Sequence, residues 1–533
     1  MRRRSLLTAS LGVTTLAAPF LARPASAQAA TRVLRFVPQG DIANLDPIWG
    51  TSYSVRNAAL LVWDTLYGID TRMLPQRQMV EHEEVSADGL TWHFRLRPGL
   101  VFHDGAPVTA RDAVASLRRW AARDVMGQNI AAIEDSLTAL DDRSFRWVLK
   151  RPFPKMLYAL AKSNTPCTFI MPERIARTDP SKVITEYIGS GPMRMVTAEW
   201  RVGSRVVFER FEGYQPRPEP ASWMAGGKRM LVDRIEWLII PDGATAAGAL
   251  QTGEVDWLES PLPDLVPQLE RHRSIRTGIA NDLGVVSGVR LNHLQPPFDK
   301  VGIRRAMLAG IRQTDYLSAL VGEDTALRRP MNGYFTPGTP LYTEAGDTTL
   351  ARGGDFELAK RLLSESGYAG EKIVMLTAQD SFAAKAVGDV AADMFRRIGL
   401  NIDYISTDFA TIQTRRLNRR APPEQGGWHT FQVSHAGTDC INPAAYLGLR
   451  ANGEKGWFGW PDSPGVEAGI AEWYDSASLE DEKRIAEKIN AAALNDVIFL
   501  PTGFFLAKQA WRSNVAGVVT APIPVFWDVS KSA

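Results

Sequence analysis

The sequence predicts an α/β protein of two or three packed domains, and three observations lead there. Two stretches, 233–259 and 372–405, each read as strand, helix, strand, the unit of a crossover connection in a parallel sheet. A third, 86–112, alternates apolar and polar residues before opening a capped helix, so strands and helices interleave along the chain. With 533 residues the chain is too long for a single core. A hydrophobic content of 45% with 23% charged residues is that of a soluble globular protein, not of a disordered or membrane-spanning one.

Taken in chain order, residues 1–27 read as an export leader. Arg2, Arg3 and Arg4 precede an apolar run at 6–21, broken by Gly12 and Pro19, and Ala25-Ser26-Ala27 offers small residues for cleavage. Arg3-Arg4-Ser5-Leu6-Leu7 also fits the twin-arginine pattern, leaving both the twin-arginine and the general secretory route open. The run falls short of the ~20 residues that span a bilayer, which argues against a retained anchor. Cleavage after Ala27 leaves 506 of the 533 residues and, by removing Arg2, Arg3, Arg4 and Arg23 with no acid, takes the formal charge from +2 to −2. Such a chain lacks the basic surplus that nucleic-acid binding requires.

In 86–112, Leu90, Trp92, Phe94 and Leu96 alternate with Thr91, His93, Arg95 and Arg97, a half-buried strand. Pro98-Gly99 and Asp104-Gly105 mark turns, and Thr109 with Asp112 can form a capping box for a helix burying Ala113, Leu117, Trp120 and Ala121. Residues 233–240 and 254–259 are predicted strands flanking a helix at 244–252 that Gly253 ends. Residues 355–366 form a capped helix stopped by Gly367. Strands at 372–377 and 400–405 flank a helix at 382–398, with Ala383, Ala386, Val387, Val390, Met394 and Ile398 as its apolar stripe and Gly399 as its stop. Cys167 and Cys440 can pair in an oxidising compartment or remain buried thiols.

The string SADGLTWHFRLRPGLVFHDGAPVTARD at 86–112 closely resembles the signature segment of extracytoplasmic solute-binding proteins of family 5, the peptide/nickel class that feeds ABC importers. QGDIANLDP (39–47), VWDTLYGID (62–70), IGSGPMRM (188–195), VDRIEWLIIPD (232–242), LNHLQPPFDKVGIRRAMLAGI (291–311) and ELAKRLLSESGY (357–368) follow in the family's order. Several of these are structural: Asp46-Pro47 and Pro296-Pro297-Phe298 suit turns, Gly189 and Gly191 close backbone approach, and Arg304-Arg305 a helix surface. The resemblance implies a two-lobe periplasmic-binding-protein fold (type II) with an extra subdomain inserted in the first lobe. It places the first lobe at 28–73, 186–281 and 505–533, the inserted subdomain at 74–185, and the second lobe at 282–504. The crossings between lobes are expected near 283–291 and 499–505.

The same resemblance directs attention to HAGTDCINPAAY (435–446), where Asp439 occupies the position of an acid that neutralises a ligand ammonium; capping the turn before Asn442-Pro443 is the alternative role. The basic residue that holds a dipeptide carboxylate in relatives is expected just after the strand ending at Thr377, where this chain has Ala378-Gln379-Asp380. That departure argues against a simple dipeptide and leaves open an amine-bearing ligand without a free carboxylate there, a modified peptide, an opine-like conjugate or a sugar. Candidate contacts at the cleft are Gln379, Trp49 and Tyr53 in the loop after the first strand, and Trp428, Trp457 and Trp460 in Gly-rich loops, with core packing as the alternative for any single tryptophan. Trp92, Trp147 and Trp237 lie on strand patterns and are expected in the core. His429 and His435 have no metal-ligand spacing, although His435 could touch a chelated metal; no resident metal or cofactor is expected. Nucleophile elbows, zinc-helix motifs, C-x-x-C pairs and phosphate loops are all missing from the sequence. The expected protein is therefore a monomeric, periplasmic, non-catalytic receptor for a peptide-like or similar small polar solute, partnered by an inner-membrane permease. A nickel-chelate, opine or oligosaccharide receptor of the same fold is the alternative, and a secreted hydrolase a remote one.

Overall fold

Three β-sheets of four or more strands organise the chain; the computed structural model describes residues 32–50, 52–444 and 446–532. The leader assigned to 1–27 lies outside the described residues. Among those described, no helix is long and apolar enough to cross a membrane.

The first sheet has seven strands in the order Ile275–Ile279, Lys508–Arg512, Trp257–Leu258, Val33–Val37, Arg234–Leu238, Arg205–Arg210, Met193–Met195. Val33–Val37 is central and runs parallel to both Arg234–Leu238 and Trp257–Leu258, in the registers Val33↔Arg234 and Phe36↔Trp257. The helix Gly243–Thr252 makes the crossover between those flanking strands. Asp242 caps it by accepting from the Thr245 amide, and Gly253 ends it at φ +85°. Phe36 anchors the core beneath this sheet, its ring 5.0–5.1 Å from those of Trp237, Trp257 and Phe526.

The second sheet has six strands in the order Arg328–Arg329, Leu500–Phe505, Val285–Leu291, Thr430–Ala436, Lys372–Ala378, Asn401–Thr407. Lys372–Ala378 pairs in parallel with both of its neighbours, as the crossover helix Phe382–Ile398 requires. Ser381 caps that helix and Gly399 stops it at φ +106°; Val387, Met394 and Ile398 are buried, while Ala383, Ala386 and Val390 are half-buried against the core.

A four-stranded antiparallel sheet, Val80–Val85, Thr91–Leu96, Ser144–Leu149, Glu134–Ala139, makes the third unit. The helix Ala110–Ala121 accompanies it, with the Asp112 carboxylate accepting at 2.7 Å from both the amide and the hydroxyl of Thr109. Trp147 and Trp237 are fully buried, and Trp92 is half-buried over Phe94.

Close approach explains two of the motif glycines: a Cβ at Gly189 would lie 2.0 Å from the Val62 carbonyl oxygen, and one at Gly191 2.6 Å from that of Leu61. Asp46 organises its turn by accepting from the Ile48 and Trp49 amides and from the buried Arg119 guanidinium at 2.7 Å. The expectation for Arg304 needs correction. On the helix Val301–Gly310 only Arg305 is exposed; Arg304 turns inward and donates to the carbonyls of Phe298, Asp299 and Asp496, groups left open where neighbouring segments end. Both cysteines are buried free thiols.

One buried ion pair ties the first sheet's surroundings together. The Lys228 ammonium lies 2.8 Å from Asp64 with both side chains at or below 1% exposure, and Asp64 also accepts from the Tyr214 hydroxyl at 3.0 Å. Breaking such a pair by removing one partner strands the other charge. Lys228→Met is expected to lower the unfolding free energy by about 3–5 kcal/mol, read as a reduced urea midpoint at unchanged slope. A loss below about 1 kcal/mol would mean that Tyr214 and Gln78 suffice for Asp64.

Candidate functional site

In sheets of this kind the parallel strands deliver their following loops to one edge, where ligands bind. Here a cavity of about 1280 Å3 lies at that edge of both large sheets. The loops after Val33–Val37, Arg234–Leu238 and Trp257–Leu258 supply Gln39, Pro241 and Glu259. From the other side come Asp380–Phe382, after Lys372–Ala378, and Ser434 and Ala436, at the end of Thr430–Ala436. The pair of chain crossings adds a further wall through Ala280, Gly284, Phe505 and Ala507, and residues of 261–270, 320–327 and 521–524 complete the lining.

Tyr53, a lining residue, opens the helix Tyr53–Val62 on the first-sheet side, and its hydroxyl donates to Oδ2 of Asp439, which follows the second-sheet strand Thr430–Ala436. The other carboxylate oxygen, Oδ1, is buried without a hydrogen-bond partner. Burial pushes the Asp439 carboxyl above its usual range, opposed by the Tyr53 bond and by the Arg56 and Lys162 charges; burial and the Asp439 charge push the Tyr53 phenol well up. One turn on from Tyr53, the buried Arg56 guanidinium lies 5.0 Å from the Tyr53 ring centroid and donates to Asn57 Oδ1 and the carbonyl oxygens of Ser163 and Pro522. Asn57 in turn donates to Glu259 at 3.1 Å, and the Gln39 amide does so at 2.7 Å. Hydrogen bonds thus link Asp439 to Tyr53 and Arg56 through Asn57 to Glu259, the two runs meeting where the Arg56 guanidinium faces the Tyr53 ring; burial pushes the Glu259 carboxyl up to about 7.

Of the sequence candidates, Tyr53 lines this cavity, and Asp439, which is not itself a lining residue, is joined to it through the Tyr53 hydroxyl. Gln379 is exposed beside the cavity, bonded through its amide to the Thr407 carbonyl, and its neighbours Asp380 and Ser381 form the wall instead. Trp49 lies elsewhere, 39% exposed, with its indole N–H on the Ser181 carbonyl. Trp428, Trp457 and Trp460 pack in a second-sheet cluster with Phe431 and Phe458. The Arg416 guanidinium sits 4.0 Å over Phe458 in that cluster. His435 alternates with the cavity-lining Ser434 and Ala436 along its strand; its ring meets Tyr446, Trp457 and Phe499, and burial with the Arg290 charge lowers its pKa to about 3. His429 joins strands, accepting from the Val374 amide and meeting the Pro296 carbonyl. Arg56 and Glu259 escaped the sequence reading; the available signal was their position, one turn into a helix and just past a strand end at the binding edge.

Comparison with known proteins agrees with this geometry. The family described as bacterial extracellular solute-binding proteins, family 5 middle region, matches residues 75–450. A "probable peptide ABC transporter periplasmic-binding protein", y4tO of Sinorhizobium fredii, is 35% identical over 540 residues covering 99% of each chain. Among solved structures, DppA of Helicobacter pylori in complex with the peptide STSA superposes with a TM-score of 0.78 at 20% identity, covering 94% of this chain and 98% of that one. MoaA of A. tumefaciens R10 in complex with mannopinic acid gives 0.78 at 17% identity, covering 95% and 100%. These likenesses show the two-lobe periplasmic-binding-protein fold, with the two large sheets as the lobes' frames. The chain belongs to the bacterial extracellular solute-binding proteins of family 5.

Proposed function

We propose that this protein is the cargo-capturing component of an ABC importer, a periplasmic, non-catalytic receptor that closes its lobes on a peptide-like or similarly small polar solute and hands it to an inner-membrane permease. The observation that carries this reading is the cavity of about 1280 Å3 at the strand ends of both lobes, with the Tyr53–Asp439 hydrogen bond joining the lobes at its wall. A site of this size, walled by two bodies that can rotate apart, suits reversible enclosure of a small solute. Of the domain bounds expected from the sequence, 28–31 and 533 lie outside the described residues; among those described we assign the first lobe to 32–73, 186–281 and 505–532, the inserted subdomain to 74–185, and the second lobe to 282–504.

Beside the cavity's Tyr53, Asp439 is the ammonium-binding group in this reading. Tyr53 holds one of its carboxylate oxygens in place and leaves Oδ1 for the cargo, so the bond that joins the lobes also orients the acceptor. Capture by closure requires that the cargo favour the shut state over the open one, which contacts from both lobes provide.

Mass spectrometry of small molecules released on denaturing the purified protein is expected to find a bound solute carrying an amine. Asp439→Ala is expected to weaken that solute by at least ~1 kcal/mol in calorimetry, the scale of one charged hydrogen bond; unchanged affinity would remove Asp439 from the site. Glu259 gives a pH signature. Its folded pKa of about 7 exceeds its ordinary 4.5, so the folded state holds its proton more tightly than the unfolded chain. Its contribution to stability therefore falls as pH rises from 4.5 towards 7 and is constant above. Arg56 is the charged group facing it, and works against the shift. Glu259→Gln is expected to flatten that part of the stability profile in denaturant titrations at pH 5 to 8; an unaltered slope would place the titration elsewhere.

A further inference from the structure

The cavity is acidic well beyond Asp439. Its two basic lining residues are Arg56 and Lys508, and both are engaged by the protein itself. The Lys508 ammonium pairs with Glu270 at 2.8 Å and Asp324 at 3.2 Å. The Arg56 guanidinium, only 4% exposed, is turned onto Asn57 and two carbonyl oxygens. Four lining carboxylates, those of Asp41, Glu259, Asp264 and Asp380, have no ion-pair partner among the described residues, and neither has Asp439. They come from both lobes: Glu259 follows Trp257–Leu258, and Asp380 precedes Phe382–Ile398 while accepting from the Phe409 amide.

Carboxylates left uncompensated in a recess with low-dielectric walls focus a negative potential there, which concentrates cations and repels anions. Phe382 and Phe505 line the same cavity, and the negative faces of aromatic rings attract cations as well. Asp439 Oδ1, buried and unpartnered, adds an acceptor that lacks only a donor.

We propose that the cargo is a cationic solute with two ammonium or guanidinium groups and no free carboxylate, one group held by Asp439 beside Tyr53 and the other read by Glu259 and Asp380. This rests on the receptor reading above and specifies its substrate class. A solute carboxylate would enter a cavity whose two cations are already bonded and whose free charges repel it.

The test is calorimetry of the mature protein with three probes of similar size: Lys-Ala-amide (two cations, no carboxylate), Ala-Ala (a zwitterion) and Ala-Glu (net negative). Lys-Ala-amide is expected to bind at least about tenfold more tightly than Ala-Ala, and Ala-Glu more weakly still. Glu259→Gln and Asp380→Asn, which keep the shape and acceptor oxygen of each side chain, should each reduce the preference by about threefold or more, by weakening Lys-Ala-amide and relieving the repulsion of the Ala-Ala carboxylate. Equal or tighter binding of Ala-Ala or Ala-Glu overturns the proposal and leaves the receptor reading standing. If none of the three binds, the solute released on denaturation decides: a dication supports the proposal and a carboxylate-bearing solute overturns it. Binding of none of the probes together with release of no solute overturns both readings.

Discussion

Everything in this molecule is arranged around a chain that passes between its two large sheets twice, side by side. Ile275–Ile279 belongs to the first sheet and Val285–Leu291 to the second, while Leu500–Phe505 belongs to the second and Lys508–Arg512 to the first. The two passages run antiparallel and are stitched together, the Ala280 amide donating to the Ala507 carbonyl at 2.9 Å and Val285 lying opposite Phe505. Gly284 is required there: at φ +47°, a Cβ would fall 2.5 Å from the Phe505 carbonyl oxygen. Two short adjacent connections permit rotation of one lobe against the other and resist sliding, so a cavity bordering them opens and closes without losing register.

The lobes also meet far from the crossings, through residues that the cavity does not use. Lys155, at the start of the helix Met156–Ala161, donates to the Ser476 carbonyl at 2.8 Å and to Glu482 at 2.5 Å, and its ammonium lies 4.7 Å from the Trp473 ring centroid. Phe153 packs against Tyr474, and Arg151 reaches Asp475 at 2.7 Å. The Arg151 pair is exposed and contributes little. The Lys155 ammonium is 3% exposed, and desolvation offsets much of its attraction to Glu482. These contacts fix where the lobes touch more than how strongly they hold, which leaves the balance between open and shut sensitive to what fills the cavity.

Local signals in the sequence were sufficient for the regular elements and insufficient for the facing of side chains. Helix Phe382–Ile398 was legible to the residue because Ser381 and Gly399 bracket an apolar stripe, and Gly253 and Thr109 marked ends equally well. The tryptophans were not, because a ring in a Gly-rich loop can face a cleft or a core, and only the assembled sheet decides; Trp428 is fully buried beside Trp460. Strand alternation does specify opposite faces for Ser434 and His435, but not which face borders the cavity. Arg304 carries the same ambiguity: its partners are backbone carbonyls brought close by tertiary structure, which no charge pattern announces. Tyr53 and Asp439 lie 386 positions apart, and nothing local links them; only the family resemblance pointed to both.

The polar line from Asp439 to Glu259 shows how such a fold sustains an energetically unfavourable site. Neither carboxylate has an ion-pair partner, and burial raises the pKa of both, so the folded chain carries groups that would be more comfortable in water. Hydrophobic substitution would remove that cost, as it does for many buried charges. The surroundings instead hold the acids rigidly, Tyr53 on one and Gln39 with Asn57 on the other, while the one guanidinium between them is turned onto carbonyls. A carboxylate fixed in position but short of a counter-charge gains most when a cation arrives, because the reorganisation has already been done in folding. On the proposed function, the stability these acids cost returns as preference for the closed form around a cation, and that difference would couple cargo to hinge.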